Sequence, residues 1–236
     1  MRIALIGYGA MGKLVETLAS AAGDEIGLKV DSREASVDAT QLAASLQGHD
    51  VAIDFSVGSA VLRNIEACAR GGVPLVEGAT GWQEKVADAR RLIEEHKGAL
   101  VYGANFSIGV NVFYRIVSQA ARLMASLDQY QAFIEEEHHA RKRDAPSGTA
   151  LKLKDLMSEH LKTEIPIASV RAGYIPGTHR VGFDSAPDQI KLTHIARSRE
   201  GFAAGALLAA RWIISRKGVY EFSDVLDEVI REESEE

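Results

Sequence analysis

The chain opens with Arg2-Ile3-Ala4-Leu5-Ile6, runs straight into Gly7-Tyr8-Gly9-Ala10-Met11-Gly12, and continues as a helical pattern carrying Leu14, Val15, Leu18 and Ala21. A short apolar run before a glycine cluster reads as a buried strand. The spacing that follows puts the apolar side chains on one helix face. A G-x-G-x-x-G between strand and helix has a specific physical use. Its glycines permit a tight turn and let backbone approach a pyrophosphate, while the helix N-terminus offers N–H groups and partial positive charge. The pattern is weak alone, but this strand-turn-helix context is the one that supports a dinucleotide site. A glycine turn without a ligand is the plainer alternative.

Outward from that loop, apolar segments at residues 2–6, 25–30, 51–54, 74–77 and 99–102 alternate with amphipathic stretches. Val61, Ile65 and Cys68 share one helical face, and Val86, Ala89 and Ile93 another. This rhythm predicts strand-helix-strand units on a parallel sheet. Asp31 ends the second segment about 20 residues beyond the glycines, where an acidic side chain would accept from ribose hydroxyls and favour NAD. Arg33, two residues on, could instead pair with a 2′-phosphate, so NADH-preferring and dual use both stay open. Gly78-Ala79-Thr80-Gly81 and Gly103-Ala104-Asn105-Phe106-Ser107 follow strands on the same predicted edge, where ligands of open parallel sheets bind. Thr80 and Asn105 suit a nicotinamide ribose and carboxamide; read singly, each loop is an ordinary strand-to-helix turn.

After about residue 105 the rhythm changes. Residues 108–127 read as a long helix, 130–135 as a strand, a second helix starts near Ser147, and 170–171, 180–183 and 189–196 read as strands of a mixed or antiparallel sheet. Residues 202–214 return to helix. The expected architecture is α/β: an N-terminal Rossmann-like parallel-sheet domain over 1–105, and a smaller C-terminal α+β domain on a mixed open sheet over 106–211. A C-terminal helix over 212–236 should return to the first domain and end in a frayed acidic tail from Glu232.

With 236 residues, 46% hydrophobic and 25% charged, the composition excludes disordered, collagenous and disulfide-rich classes. The net charge of −6 is concentrated: residues 221–236 carry eight acidic groups against Arg231, leaving 1–220 at +1. That argues against a chain coated in positive charge for nucleic acid. A single cysteine, Cys68, can form neither an internal disulfide nor a C-x-x-C pair, and no run approaches a membrane span. The expectation is a soluble, cytoplasmic protein with neither nucleic-acid nor membrane partners.

The densest chemistry is Glu137-His138-His139-Ala140-Arg141-Lys142-Arg143-Asp144-Ala145-Pro146-Ser147-Gly148-Thr149-Ala150. Ser147, Gly148 and Thr149 after Pro146 form a helix start that can receive a carboxylate, and Lys142 and a protonatable histidine add donors. Together they describe a receptor for a small dianion. Singly, the histidines could end a strand, the basic run could be a solvated loop and Ser147 only a cap. A metal is not expected, since neighbouring histidines of a strand point to opposite faces and neither a Cys cluster nor H-E-x-x-H accompanies them.

Residues 137–150 resemble the x-H-H-x-x-K-x-D-x-P-S-G-T-A signature of the 4-hydroxy-tetrahydrodipicolinate reductase family, and the resemblance spans nearly the whole chain. It includes Asp54-Phe55-Ser56, residues 78–81, Ala104 to Ser107 with Gly109 and Asn111, and the segment with Arg171, His194, Arg199 and Trp212. The chain departs from the family pattern within residues 9–12 and 176–179, at Ala79, and in the short 159–170 connection. None is a position the family uses for catalysis. The resemblance implies NAD(P)H-dependent reduction of a cyclic dianion with loss of water, in lysine biosynthesis by the diaminopimelate route. It places NADH and/or NADPH across Gly7, Tyr8, Gly9, Ala10, Met11, Gly12 and Asp31, with the nicotinamide near Gly78, Ala79, Thr80, Ala104, Asn105 and Phe106. Substrate carboxylates fall on His139, Lys142, Ser147, Gly148 and Thr149. His138 is implied as the acid, with Lys142 able to share or replace that role. The resemblance also implies closure of one domain over the other and a homotetramer built through the second-domain sheet. Two competing readings are another Rossmann oxidoreductase, such as an aspartate dehydrogenase, and an NAD(H)-binding redox sensor without turnover. Neither explains residues 137–150.

Overall fold

The computed structural model describes residues 1–31 and 37–235, with side chains through 232. Arg33 lies outside the described residues. The chain forms two compact units, residues 1–108 with 200–236, and residues 109–199.

The first unit is a six-stranded parallel sheet built from β1 (Arg2–Ile6), β2 (Glu25–Val30), β3 (Val51–Asp54), β4 (Leu75–Glu77), β5 (Ala99–Tyr102) and, late in the chain, the strand Gly218–Glu221. That last strand pairs parallel with β5 at the sheet edge, and the order from it runs β5-β4-β3-β1-β2. Period-2 alternation splits the strand side chains between two cores. Ile3, Leu5, Val51, Ile53 and Val101 join α1 (Ala10–Ala21) on one face. Ala4, Ile6, Ala52, Leu75 and Leu100 join α2 (Ala39–Leu46), α3 (Val61–Gly71) and α4 (Val86–His96) on the other. Strands with both faces covered are apolar throughout, which is why they read as continuous runs. The connection from β1 goes to β2 on one side and then to β3 on the other. The crevice of such a switch point therefore lies at the carboxyl ends of β1 and β3.

The second unit is a mixed four-stranded sheet. It contains β6 (Gln131–His138), β7 (Ile167–Arg171), β8 (Thr178–Asp184) and β9 (Gln189–Ile195) in the order β7-β6-β8-β9. β6 pairs parallel with β7 and antiparallel with β8. The helices α5 (Ile108–Met124) and α6 (Gly148–Ser158) bury Phe113, Val117, Ala150, Leu153 and Met157 against Ala132, Ile134, Val181 and Phe183. On the outer strands Val170, Ile190 and Ile195 are exposed.

Three expectations change. The helix expected at 202–214 is α7 (Glu200–Ile213), and it belongs to the first unit, so the second ends at Arg199 instead of 211. Ala203, Ala206, Leu207, Ala209, Ala210 and Trp212 are apolar around much of the helix and fill the α1 side of the parallel sheet. The strand at 218–221, β10, and the helix α2 were not anticipated. The final helix, α8 (Phe222–Glu235), continues past Glu232, where a frayed tail was expected.

Candidate active site

In the first unit the glycine loop is fixed by its own backbone. Gly7 has φ 86°, donates its N–H to Val30 O at 2.9 Å, and would place a Cβ 2.6 Å from the Phe55 carbonyl carbon. Gly12 lies so close to the loop that a Cβ would meet Gly7 O at 2.4 Å. Gly9 differs: nothing surrounds its Cβ position within 4 Å, it is exposed, and as N-cap of α1 it contributes no side-chain cap. Two glycines thus make the turn and the third leaves its outer side open, which fits close approach of a pyrophosphate to the first turn of α1. Ala10 is exposed, while Tyr8 and Met11 pack against the core. The Tyr8 hydroxyl donates to Glu16, and Lys29 lies 4.6 Å above the Tyr8 ring and 2.6 Å from Glu16. Asp31 follows β2 at the same sheet edge.

The other two loops gather at that edge. Gly78 abuts the Phe55 ring, Ala79 is buried with its N–H donating to Glu77 Oε1 at 2.7 Å, and Thr80 is exposed. Asn105 Oδ1 accepts from Ser107 N at 2.8 Å beside exposed Ala104. Phe106 is a core residue, its ring 4.7 Å from that of Phe222 and 6.3 Å from that of Phe55, which leaves its backbone as the part at the edge. Beneath these loops lies a pair the sequence reading did not single out. Asp54 and Glu77 are register partners on β3 and β4, and both are fully buried. Asp54 accepts from Ser56 N and Asn64 Nδ2, each at 2.6 Å. Burial pushes Glu77 well above the carboxylate range, and the nearby Asp54 charge adds to the rise.

In the second unit, alternation on β6 sends Ala132, Ile134, Glu136 and His138 to the covered face. Glu136 is wholly buried and saturated with donors. Arg171 Nη2 reaches Oε1 at 2.6 Å and Nη1 reaches Oε2 at 3.0 Å, Ser147 N donates at 3.3 Å, and His138 Nδ1 bonds Oε2. Burial pushes the Glu136 carboxyl up, but bonds from Arg171, Ser169 and His138 outweigh it and bring it to about 2. For His138, burial lowers the pKa; Glu136 opposes that, while Lys142 and Arg171 add to it. With Nδ1 turned to Glu136, Nε2 is the nitrogen left for exchange. It lies 3.1 Å from where a Cβ on Gly177 would stand, so glycine there leaves space beside it.

Ser147 caps α6, accepting from Ala150 N at 3.2 Å, and its hydroxyl meets His179 Nε2 at 3.1 Å. The His179 ring stands edge-on to His138 with centroids 5.1 Å apart. Its pKa falls to about 4, through burial first and then the neighbouring His138, so it is neutral at physiological pH. Lys142 Nζ holds Asp144 Oδ1 at 2.8 Å, and Gly148 N also donates to Asp144. A carboxylate therefore already rests on two of the donors expected to receive one. Gly148 is exposed with open space about its Cβ position, Thr149 is half-buried, and His139 Nδ1 is buried without a partner. Glu136, His138 and His179 bring donor atoms within 4.8 Å of one another, but the Arg171 guanidinium already holds both Glu136 oxygens. That donor set is an ion-pair network and offers a cation no open carboxylate.

The structure thus gathers Gly7 to Gly12, Asp31, Gly78 to Thr80 and Ala104 to Phe106 at one sheet edge, and His138, Lys142 and Ser147 to Thr149 around the end of β6. Glu136, Arg171 and His179 were missed as site residues. The available signal was the i, i+2 spacing of Glu136 and His138, which puts a carboxylate on the covered face of a strand.

Comparison with known proteins matches each half of the chain. Residues 1–106 match the family model for the dihydrodipicolinate reductase N-terminus, and residues 109–226 the model for its C-terminus. Proteins named 4-hydroxy-tetrahydrodipicolinate reductase from Christiangramia forsetii and Archaeoglobus fulgidus are 38% and 37% identical, covering 98% and 96% of this chain and all of each relative. Among solved structures, a dipicolinate-bound dihydrodipicolinate reductase from Paenisporosarcina sp. TG-14 superposes with TM-score 0.74 at 22% identity, covering 94% of this chain and 97% of that one. An amine dehydrogenase from Mycobacterium smegmatis shares the fold more distantly, with TM-score 0.60 at 11% identity and coverage of 94% and 95%. With both halves matched and relatives above one-third identity along nearly its full length, the chain belongs to the dihydrodipicolinate reductase family.

Proposed function

We propose that this enzyme carries out the reaction for which its relatives are named, NAD(P)H-dependent reduction of 4-hydroxy-tetrahydrodipicolinate to tetrahydrodipicolinate with loss of water, in the diaminopimelate route to lysine. The observation that carries the reading is that a carboxylate, Asp144, already lies on Lys142 and the α6 N-terminus in the same turn that follows His138, whose Nε2 faces Gly177.

In this reading Gly7 to Gly12 hold the pyrophosphate on the first turn of α1, Asp31 holds the adenosine ribose, and Gly78 to Thr80 with Ala104 to Phe106 border the nicotinamide. The cofactor is NADH and/or NADPH, with Asp31 the group that favours NADH. When bound, the reduced nicotinamide supplies the hydride that reaches C4 of the ring after the 4-hydroxyl has left as water. Lys142 and the Gly148 and Thr149 N–H groups receive the substrate carboxylates in place of Asp144, with His139 and Ser147 completing the receptor. His138 delivers the matching proton from Nε2, a step of the kind worth roughly 10²–10⁴-fold in rate. One hydride, one proton and one departing water balance the reaction. The exposed apolar residues Val170, Ile190 and Ile195 support a homotetramer built through the second sheet. The described residues contain no helix long and apolar enough to cross a membrane, and a cytoplasmic location is part of the proposal.

The test supplies the condensation product of pyruvate and aspartate semialdehyde and follows oxidation of NADH and, separately, NADPH. Turnover with NADH, alone or with NADPH as well, is expected. Absence of oxidation by folded protein that binds either cofactor would defeat the reading.

A further inference from the structure

We propose that Glu136, clamped by Arg171, is a positioning residue that holds His138 with its Nδ1 proton retained and Nε2 as the only nitrogen that gives up a proton. This rests on the reading of His138 as the acid.

The geometry carries the argument. Glu136 and His138 are two residues apart on β6 and share its covered face, so the carboxylate meets the near edge of the ring at Nδ1. A histidine that donates one proton must keep the other, and a fixed carboxylate on Nδ1 decides which. The carboxylate is itself immobilised. Arg171 grips both oxygens from β7, and its Nη2 also reaches Asp144 O at 2.6 Å. Ser147 N, at the cap of α6, makes a further bond to Oε1. The Glu136–Arg171 pair thus ties together the acid, the turn carrying Lys142 and Asp144, and the helix start that receives the substrate. Four groups set the electrostatics at His138. Glu136 on its own strand favours the charged ring, while Lys142 in the following turn and Arg171 on β7 oppose it. His179, facing it from β8, is neutral at physiological pH.

The signs separate positioning from bulk structure. Glu136→Gln removes the group that supports the imidazolium, so the alkaline fall-off of kcat should move to lower pH by about one unit or more. Turnover at pH 7 to 8 should fall roughly 10–100-fold, with KM changing far less. Arg171→Gln removes a positive charge and should move the fall-off to higher pH while also lowering the maximum rate. Glu136→Asp keeps the charge and should restore the fall-off toward its original position.

The experiment measures pH profiles of kcat and KM for the wild type, these three variants and His138→Asn, with circular dichroism confirming fold. Opposite displacements in Glu136→Gln and Arg171→Gln support the inference. If Glu136→Gln does not fold, Glu136→Asp and Arg171→Gln decide between a retained and an upward-shifted fall-off. A loss of the fall-off in His138→Asn with unmoved profiles in the folded Glu136 and Arg171 variants overturns the inference alone. Wild-type turnover in His138→Asn overturns the assignment of the acid, and the inference with it.

Discussion

Glu77→Gln should stabilise the protein at neutral and alkaline pH and lose that advantage in acid. Glu77 is fully buried at the end of β4, one oxygen accepting from Ala79 N at 2.7 Å and the other meeting no donor. Its register partner Asp54 is equally buried, and burial raises its carboxyl too, with bonds from Ser56 and Asn64 opposing the rise. Burial, then Asp54's charge, raises the Glu77 pKa well above the usual range, so a proton shared by the pair resides on Glu77. The sign follows from linkage. A carboxyl raised on folding contributes fully below its unfolded pKa of about 4.3, and that contribution is lost as pH rises toward the folded value. Each pH unit above 4.3 over which folded Glu77 keeps its proton costs about 1.4 kcal/mol. Glutamine needs no proton: its oxygen can accept from Ala79 and its amide can donate to Asp54. One amide hydrogen is left unpaired, at a cost of about 1–3 kcal/mol. The advantage of the variant therefore grows by about 1.4 kcal/mol per pH unit above 4.3 until the folded pKa is reached, a Tm gain of roughly 3–6 °C per unit for a chain of this size. It is positive once that sum exceeds the constant cost of the unpaired hydrogen. Thermal unfolding of both proteins from pH 4 to pH 9 checks it. Equal destabilisation of the variant at every pH would refute the shared proton.

Three further outcomes follow from the geometry. Gly177→Val should cut kcat at least tenfold with the fold retained in the remainder of the second unit, because φ 154° disfavours a side chain and the Cβ would stand 3.1 Å from His138 Nε2; steady-state kinetics and circular dichroism read this. Gly12→Ala and Gly9→Ala should part company. The first drives a Cβ to 2.4 Å from Gly7 O and lowers Tm, whereas the second folds normally but weakens binding of the reduced cofactor, measured by its fluorescence. Lys142→Ala should raise KM and lower kcat together, since the same ammonium receives the substrate carboxylate and adds charge beside His138, and kinetics against substrate concentration will show it.

Much of the fold was legible because local rules and tertiary packing agree. Strands covered on both faces are apolar runs, and the glycines at 7 and 12 are required by backbone that a Cβ would strike. The candidate site was legible where its chemistry is contiguous, as in His138 to Thr149. It was not legible where partners are far apart in sequence. β10 is a short, half-buried edge strand without alternation, and nothing local distinguishes it from a turn. α7 follows the second sheet in the chain yet fills the core of the first, because an apolar helix is claimed by whichever sheet has an uncovered face. Glu136 reads as one of three glutamates at the polar end of a strand. Only the register of β6 with β7, 35 residues away, brings Arg171 onto it. The sequence by itself determined the strand-glycine-helix opening, the parallel order of units and the polar cluster, since each depends on residues within a few turns of one another. The tertiary structure alone decided which buried charges meet. A buried carboxylate is tolerable only where a counter-charge or a proton satisfies it, and for Glu136 and Glu77 those come from Arg171 on β7 and from the pair with Asp54 on β3.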